Sequence, residues 1–213
     1  MKTLMFVLMT LTPFCMVFSQ QEEPETMRYL LENGIQVSGF GGMMVSFGEV
    51  EDDFAVFSGG GGALLINQRY FLGGFGEGLA TSHKRDNLRI DGQDLSDVKT
   101  SLGYGGLWTG YIFKPNDLIH VQSSVKIAAG ELALTDSFKD VYDNLYDDLV
   151  FVAIPSIGVQ MNILPWFRVS LDAGYRHIGN VENKTEEITG QAVFDAKDYR
   201  GLHTTIGLMF GGF

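Results

Sequence analysis

Cysteine, proline and long apolar runs are scarce in this sequence, and each shortage narrows the class of protein. The one cysteine, Cys15, cannot form an internal disulfide, and five prolines among 213 residues leave no Pro-rich linker that would divide the chain. Beyond residue 20, no apolar run approaches the roughly 20 residues that a membrane-spanning helix needs. The chain is therefore predicted to form one domain, and any crossing of a membrane must use strands.

Basic residues are also in the minority, with 15 Lys and Arg against 26 Asp and Glu and a formal net charge of −11. Nucleic acid is bound mainly through its phosphates, so this acidic balance argues against nucleic acid as a partner. Glycine, in contrast, is abundant at 27 residues, and aromatic residues make up 12% of the chain. That combination is typical of closely packed strands that bend into a barrel.

The first 20 residues have the pattern of a Sec-type signal peptide. Lys2 supplies a positive charge, residues 4–18 form an apolar core, and Ser19 is the small residue before a polar stretch. Cleavage there would remove Cys15 and leave a chain without thiols. Two alternatives remain open: lipidation at Cys15, although the residues before it are not small, and an uncleaved anchor helix, for which the run is short.

The stretch after the signal peptide, residues 21–34, is predicted to be a periplasmic leader with a short helix. Pro24 stands near the first helical turn, acidic residues surround it, and Gly34 fits a C-cap. A plug or a docking element is the alternative to a simple leader. The apolar residues of the helix are Met27, Leu30 and Leu31.

Downstream of residue 34 the hydrophobic period becomes two, which is the period of a strand. The cleanest example places Ile119, Val121 and Val125 on one face, with His120 and Gln122 on the other. One face suits lipid and the other suits a wet or hydrogen-bonded interior. Eight segments follow this pattern: residues 35–47, 54–66, 69–83, 98–113, 118–132, 149–161, 167–178 and 199–213.

Two of these segments mix apolar and charged residues on one face. Phe71 and Phe75 share parity with Glu77, and Leu107 shares parity with Lys99. Because side chains of one parity lie on one side of a strand, part of the interior is predicted to be apolar.

The connections between segments alternate in length, as in a membrane barrel with short periplasmic turns and long outer loops. Removing Lys2 with the signal peptide takes the net charge from −11 to −12, and the four outer loops together carry a charge of −12. The acidic residues are therefore concentrated at one rim. The predicted turns are residues 67–68, 114–117 and 162–166, and the predicted outer loops are residues 48–53, 84–97, 133–148 and 179–198.

These features together resemble the small, porin-like outer-membrane barrels of the OmpA and OmpX superfamily: a signal peptide, eight alternating segments, long loops opposite short turns, and a terminal Phe213. The resemblance covers nearly all of the exported chain as a pattern, without a residue-by-residue motif. It implies an all-β fold, an eight-stranded antiparallel transmembrane β-barrel over residues 35–213 in the outer membrane. It also implies contact with outer-membrane lipid and lipopolysaccharide, and a role for Phe213 in the signal read by the barrel-assembly machinery.

The last segment departs from the superfamily pattern at its end. Ile206, Leu208 and Phe210 have the opposite parity to Phe213, so the usual terminal alternation is broken. A glycine bulge at residues 211–212 would restore it.

The third outer loop has an apolar spacing that is typical of a helix. Aspartates occupy the positions between the apolar residues, at a spacing of three and four that does not match a calcium loop. We predict a helix that packs on the barrel rim, and the alternatives are a partner-binding surface or a mobile loop. The apolar residues of this predicted interaction helix are Phe138, Val141, Tyr142, Leu145 and Leu149.

Charged residues of both signs are expected inside the barrel. Eight strands enclose an interior that side chains roughly fill, so the charges are predicted to pair into a plugged polar core. A narrow conduction path and a small-ligand pocket are the alternatives. The candidate lumen charges are Glu77, Lys99, Lys126, Glu131, Arg168, Asp172, Arg176 and Arg200.

Catalytic and cofactor motifs are not evident. His120, His177 and His203 fall on different predicted strands, and none matches a motif of the outer-membrane enzymes. Residues 59–62 are four glycines, but they continue directly into a strand rather than a helix, which argues against a phosphate loop. The sequence predicts a barrel with a structural or binding role and no cofactor, and an accessory subunit beside a protein partner in the envelope is one form that this role could take. A narrow solute channel is the alternative, followed by a lipid-modifying enzyme.

Overall fold

A computed structural model describes the backbone over residues 34–85, 88–90, 93–95, 98–136, 144–181 and 193–213. The side chains are described over the same ranges except at positions 84–97 and 135–146. The predicted signal peptide and leader helix lie outside the described residues. So do Phe138, Val141 and Tyr142 of the predicted loop helix.

Eight long strands form a closed antiparallel barrel in the described part of the chain. Each strand pairs with the next one along the chain, and the first also pairs with the last, with Phe40 opposite Gly211. Closure leaves no sheet edge open, and it confirms the predicted fold. The strands are β1 (Val37–Val50), β2 (Asp53–Ile66), β3 (Tyr70–Leu79), β4 (Val98–Phe113), β5 (Ile119–Asp136), β6 (Asn144–Leu164), β7 (Phe167–Gly179) and β8 (Gly201–Gly211).

Tight turns connect the strands at one end of the barrel, after β2, β4 and β6, and we call this end the turn end. Asn67 and Gln68 have φ angles of 51° and 59°, the left-handed conformation of a type I′ hairpin turn. At the opposite end, which we call the loop end, Glu51 and Asp52 have φ angles of 54° and 65°. The predicted loop 48–53 is therefore a two-residue turn, because β1 and β2 pair up to Val50 and Asp53.

Two long connections at the loop end contain structure that their composition did not predict. His83–Arg85 is a short strand that pairs with the start of β4, and Leu88–Ile90 pairs with Gln93–Leu95. A 3₁₀-helix spans Ala196–Tyr199 just before β8. The Asp195 side chain caps this helix by accepting a hydrogen bond from the Lys197 N–H at 2.9 Å.

The predicted loop helix is wrong at its C-terminal end. Residues 144–149, which include Leu145 and Leu149, belong to β6 and pair with β5, with Leu149 opposite Glu131. Local helical spacing gives way here because a neighbouring strand offers the backbone a complete hydrogen-bonding partner. Among the described residues, no helix has both the length and the apolar character to cross a membrane.

Side chains alternate between the interior and the exterior along most of the barrel wall. On β5, Ile119, Val121, Val125 and Ile127 are 38–54% exposed, whereas their even-numbered neighbours from His120 to Ala128 are buried. The outward positions are apolar from Ile119 to Ala129 apart from one serine. At roughly 3.3 Å per residue and a 40° tilt, that stretch spans about 25 Å, the height of the lipid-facing band of outer-membrane barrels.

Aromatic side chains border this apolar band at both ends, as in membrane barrels. At the turn end, the Trp166 and Phe210 rings stack with centroids 6.2 Å apart, and Tyr70 contacts Tyr111 at 4.7 Å. The corresponding residues toward the loop end are Phe47, Phe54, Phe151 and Tyr175.

The terminal residue points inward instead of continuing the outward alternation. β8 ends at Gly211, its pairing with β1 and β7 continues without a shift of register, and Ile206, Leu208 and Phe210 face outward. The suggested glycine bulge is therefore absent from this described strand. Without it the odd-numbered Phe213 falls on the interior side, with its ring 5.9 Å from that of Phe40. The role of Phe213 in assembly stays a prediction.

Candidate functional site: the barrel interior and its ends

Aromatic and aliphatic side chains from β1, β3 and β4 fill one side of the interior. The Phe40, Phe71 and Trp108 rings meet edge to face, with centroids 5.0–5.7 Å apart. Such geometry stabilises aromatic pairs beyond the apolar area that they bury. Phe75 also faces inward. The prediction of a partly apolar interior from the parity of Phe71 and Phe75 is therefore confirmed.

A compact ionic cluster occupies the middle of the interior. The Lys126 ammonium forms an ion pair with Glu77, and both side chains are almost inaccessible to solvent. The second Glu77 carboxylate oxygen lies 3.2 Å from His203 Nε2 and accepts a hydrogen bond from the Tyr104 hydroxyl at 3.1 Å. Because an unpaired buried charge is strongly unfavourable, this four-residue cluster accounts for the presence of both charges inside the barrel.

A chain of polar side chains crosses the interior nearer the turn end. The His120 ring lies 3.0 Å from Gln160 Oε1, and Gln160 Nε2 donates to Gln122 Oε1 at 2.7 Å. Gln122 Nε2 in turn donates to the Asp172 carboxylate. This chain links β5, β6 and β7 and gives a partner to the carboxylate of Asp172.

Very little free space remains between the aromatic side and the polar side. The cavity at the centre is lined by Lys126, Asp172, His203 and Trp108, among others, and its volume is about 10 Å³. One water molecule needs at least about that volume, so the cavity cannot hold a hydrated ion or an organic solute. The centre of the described interior is therefore densely packed.

Apolar residues and one arginine close the loop end of the interior. Arg176 is fully buried, donates from Nε to the Tyr199 carbonyl at 2.8 Å, and also donates to the Glu49 carbonyl. The Tyr199 hydroxyl donates to the Glu51 carboxylate at 2.6 Å. These bonds tie the 3₁₀-helix to the turn between β1 and β2. The buried residues around them include Val50, Val98, Leu102, Leu132, Leu134, Ile178, Val193 and Phe194.

Five of the eight candidate lumen charges face the interior: Glu77, Lys126, Arg168, Asp172 and Arg176. They form separate groups along the barrel axis rather than one network. Glu77 and Lys126 belong to the central cluster, and Asp172 ends the polar chain. Arg176 lies at the loop end, and Arg168 lies at the turn end.

The other three candidates are not lumen charges. Lys99 and Glu131 are odd-numbered residues of β4 and β5, whose inward positions are even-numbered, so both lie on the outward side near the loop end. Arg200 precedes β8 at the rim and donates from Nε to the Ile178 carbonyl at 2.7 Å. Strict counting of parity along each strand would have identified the error for Glu131, which follows Ile127 and Ala129 on the same face.

The interior also contains functional groups that the list of charges missed. His203 and Tyr104 complete the central cluster, and His120, Gln122 and Gln160 build the polar chain. The signal that could have identified them was parity, because each shares the inward parity of its strand. The three predicted histidines do not meet in one site: His177 is exposed on the outer face of β7. Within the described ranges, His, Cys, Asp and Glu side chains form no group of three or more that could hold a metal ion.

The turn end of the interior opens into a pocket of about 380 Å³. Arg168 lines it, is 4% exposed, and places its guanidinium 4.0 Å from the centre of the Phe213 ring. Two further walls come from Asn116, in the turn between β4 and β5, and from Asn162, near the end of β6. Asn162 Nδ2 donates to the Asp117 carbonyl at 2.8 Å and thereby ties the end of β6 to that turn.

Comparison with known proteins gives a match in structure but not in sequence. No protein-family model and no curated protein matches the chain. Neisserial surface protein A has a TM-score of 0.53 at 10% identity, covering 83% of this chain and 98% of that one. Ail of Yersinia pestis in complex with the heparin analogue sucrose octasulfate has a TM-score of 0.49 at 11% identity, covering 82% and 97%.

A major outer membrane protein from Thermus thermophilus has a TM-score of 0.44 at 12% identity, covering 82% of this chain and 98% of that one. At these identities the similarity establishes architecture alone. The closed barrel, its apolar exterior and the match to Neisserial surface protein A agree. The chain therefore has the fold of the small eight-stranded outer-membrane β-barrels.

Proposed function

We propose that this protein is a non-conducting barrel of the bacterial outer membrane with a structural or binding role. The observation that carries the proposal is the filled interior, in which the central cavity has a volume of about 10 Å³. A narrow solute channel would need a continuous wet path, and the central cluster and the buried apolar residues of the described loop end argue against one. In this proposal the turn end faces the periplasm and the acidic loop end faces outward.

Liposome swelling tests this proposal directly. Proteoliposomes with the purified protein should take up small sugars and amino acids no faster than protein-free liposomes. A general porin in the same lipid mixture serves as the positive control. Uptake that rises with the amount of inserted protein would refute the closed barrel and would favour the solute channel.

The binding part of the role is supported by the placement of charge, with the acidic residues of the sequence concentrated in the outer loops. A crosslinkable amino acid at Asp53, exposed at the loop end, should capture an envelope protein or lipopolysaccharide in living cells. The matched position is Asp117, exposed at the turn end. If no specific adduct forms at Asp53, the role is restricted to a structural one.

We also propose that the protein is not an enzyme, since the histidines that could act as bases lie apart. The His120 ring is hydrogen-bonded to Gln160, and His203 Nε2 lies 3.2 Å from a Glu77 carboxylate oxygen. Lipid mass spectrometry of cells with and without the protein should show the same lipid species. A modified lipid that appears only with the protein would contradict this.

A further inference from the structure

The turn-end pocket contains a buried cation with no counter-ion among the described residues. Arg168 is 4% exposed, and its Nε and Nη1 atoms have no hydrogen-bond partner. Among the described residues, none of the ion pairs involves this guanidinium, and Asp172 on the same strand is bonded to Gln122 instead. The contact with the Phe213 ring covers one face of the guanidinium but supplies no negative charge. A group in this condition needs an anion from elsewhere.

The same pocket contains an unused acceptor. Asn162 Oδ1 is buried and has no partner, while its Nδ2 is occupied by the Pro115 and Asp117 carbonyls. A ligand that satisfies both groups must present an anion to Arg168 and a hydrogen-bond donor to Asn162. Phosphate diesters with a hydroxyl or ammonium group nearby have both features.

The outer edge of the pocket is apolar and lies at the membrane boundary. Ile163 and Leu164 line it and are 46% and 44% exposed, and Trp166 follows them in the aromatic border of the apolar band. Tryptophan residues in such borders lie at the level of the lipid headgroups. A molecule in the pocket can therefore contact water, lipid headgroups and acyl chains at the same time.

We propose that the turn-end pocket binds the phosphate of a phospholipid headgroup. Arg168 donates to the phosphate oxygens, Asn162 Oδ1 accepts from the hydroxyl or ammonium group of the headgroup, and the acyl chains lie along Ile163 and Leu164. Free inorganic phosphate has the same anionic chemistry and would occupy the Arg168 side alone.

The test uses the full protein extracted from outer membranes in dodecyl maltoside and freed of lipid. Calorimetric titrations are run with short-chain phosphatidylglycerol, short-chain phosphatidylcholine and inorganic phosphate. Phosphatidylglycerol should bind, phosphatidylcholine should bind more weakly because its headgroup has no donor for Asn162, and Arg168→Gln should weaken binding at least about tenfold. Tighter binding of phosphatidylglycerol than of inorganic phosphate supports the lipid. If inorganic phosphate binds as tightly as phosphatidylglycerol and its binding depends on Arg168, the occupant is a free anion and the lipid assignment is overturned.

The matched control is Lys114→Gln, which removes an exposed positive charge at the same end of the barrel without changing the pocket lining. It should leave the affinity unchanged. Equal weakening by Lys114→Gln and Arg168→Gln, or no effect of Arg168→Gln, would overturn the proposal. Gel mobility before and after heating confirms that each variant is folded. Arg168→Lys, which keeps the charge but loses the bidentate donors, should bind with intermediate affinity even if Arg168→Gln fails to fold.

Discussion

The two sides of the barrel wall fill the same interior by different physical means. On β3 and β4, large rings pack against glycine. A Cβ added at Gly110 would lie only 2.5 Å from Phe71 Cζ, so the Phe71 ring occupies the space that a larger residue would need. On β5 to β7, many inward side chains toward the turn end are polar, and several bond to one another, as Gln122 does with Asp172 and Gln160. The aromatic side depends on shape, and the polar side depends on hydrogen bonds between side chains. Substitutions should therefore have different effects on the two sides.

The largest effect should come from breaking the ion pair in the central cluster. Lys126→Met leaves Glu77 buried without its cation, which should lower the free energy of unfolding by about 3 to 5 kcal/mol. Adding Glu77→Gln should recover most of that loss, because no charge is then left unpaired. Urea unfolding of the single and double variants in lipid measures both. If the double variant is as unstable as the single one, the unpaired Glu77 charge is not the cause of the lost stability.

Arginine on the outer surface should have the same effect on both sides of the wall, since lipid contacts both. Val121 on β5 and Leu107 on β4 are exposed toward the apolar band. Arg at either position should cost about 2 to 4 kcal/mol near the membrane midplane. Unfolding in bilayers of defined thickness gives the values. A harmless arginine at either position would mean that this part of the surface does not face lipid.

Shape complementarity on the aromatic side is tested by adding one methyl group. Gly110→Ala places Cβ against Phe71 and 2.4 Å from the Ser123 carbonyl oxygen, and should destabilise the barrel by about 1 to 3 kcal/mol. At Gly78 an added Cβ meets no atom within 4 Å, so Gly78→Ala should change stability by less than about 0.5 kcal/mol. Equal effects at the two glycines would contradict the close packing.

The smallest effect should come from a single neutral hydrogen bond on the polar side. The Ser124 and Ser156 hydroxyls are 2.8 Å apart, and Ser124→Ala should cost about 0.5 to 1.5 kcal/mol. Its neighbour Ser123 faces outward and serves as the control for the loss of a hydroxyl. If both variants unfold with the same dependence on urea concentration, the difference between their urea midpoints measures the contribution of the interior hydrogen bond.

The strand order and the facing of most side chains were predictable because a lipid-facing strand must alternate. Val121 and Leu171 are outward, and Gln122 and Ser170 are inward, as a period of two requires. The interior charges were predictable only as a set. Which residue contacts which depends on register: Glu77 and Lys126 meet across the interior although 49 residues separate them.

The loop end was harder to predict for a different reason. Local spacing between residues 135 and 149 favours a helix, yet residues 144–149 extend β6 because β5 continues beside them. Backbone pairing with a distant segment is invisible to local periodicity. The orientation of Phe213 likewise depends on whether the last strand contains a bulge, which glycine permits but does not impose.

We infer that the two sides of the wall together close the interior. Single-channel recording in planar bilayers tests it most directly, with insertion confirmed by co-reconstituted fluorescent protein. We expect a flat baseline at high salt for the native protein, because the central cavity of about 10 Å³ has room for about one water molecule. Stable conductance steps from the native protein would contradict it.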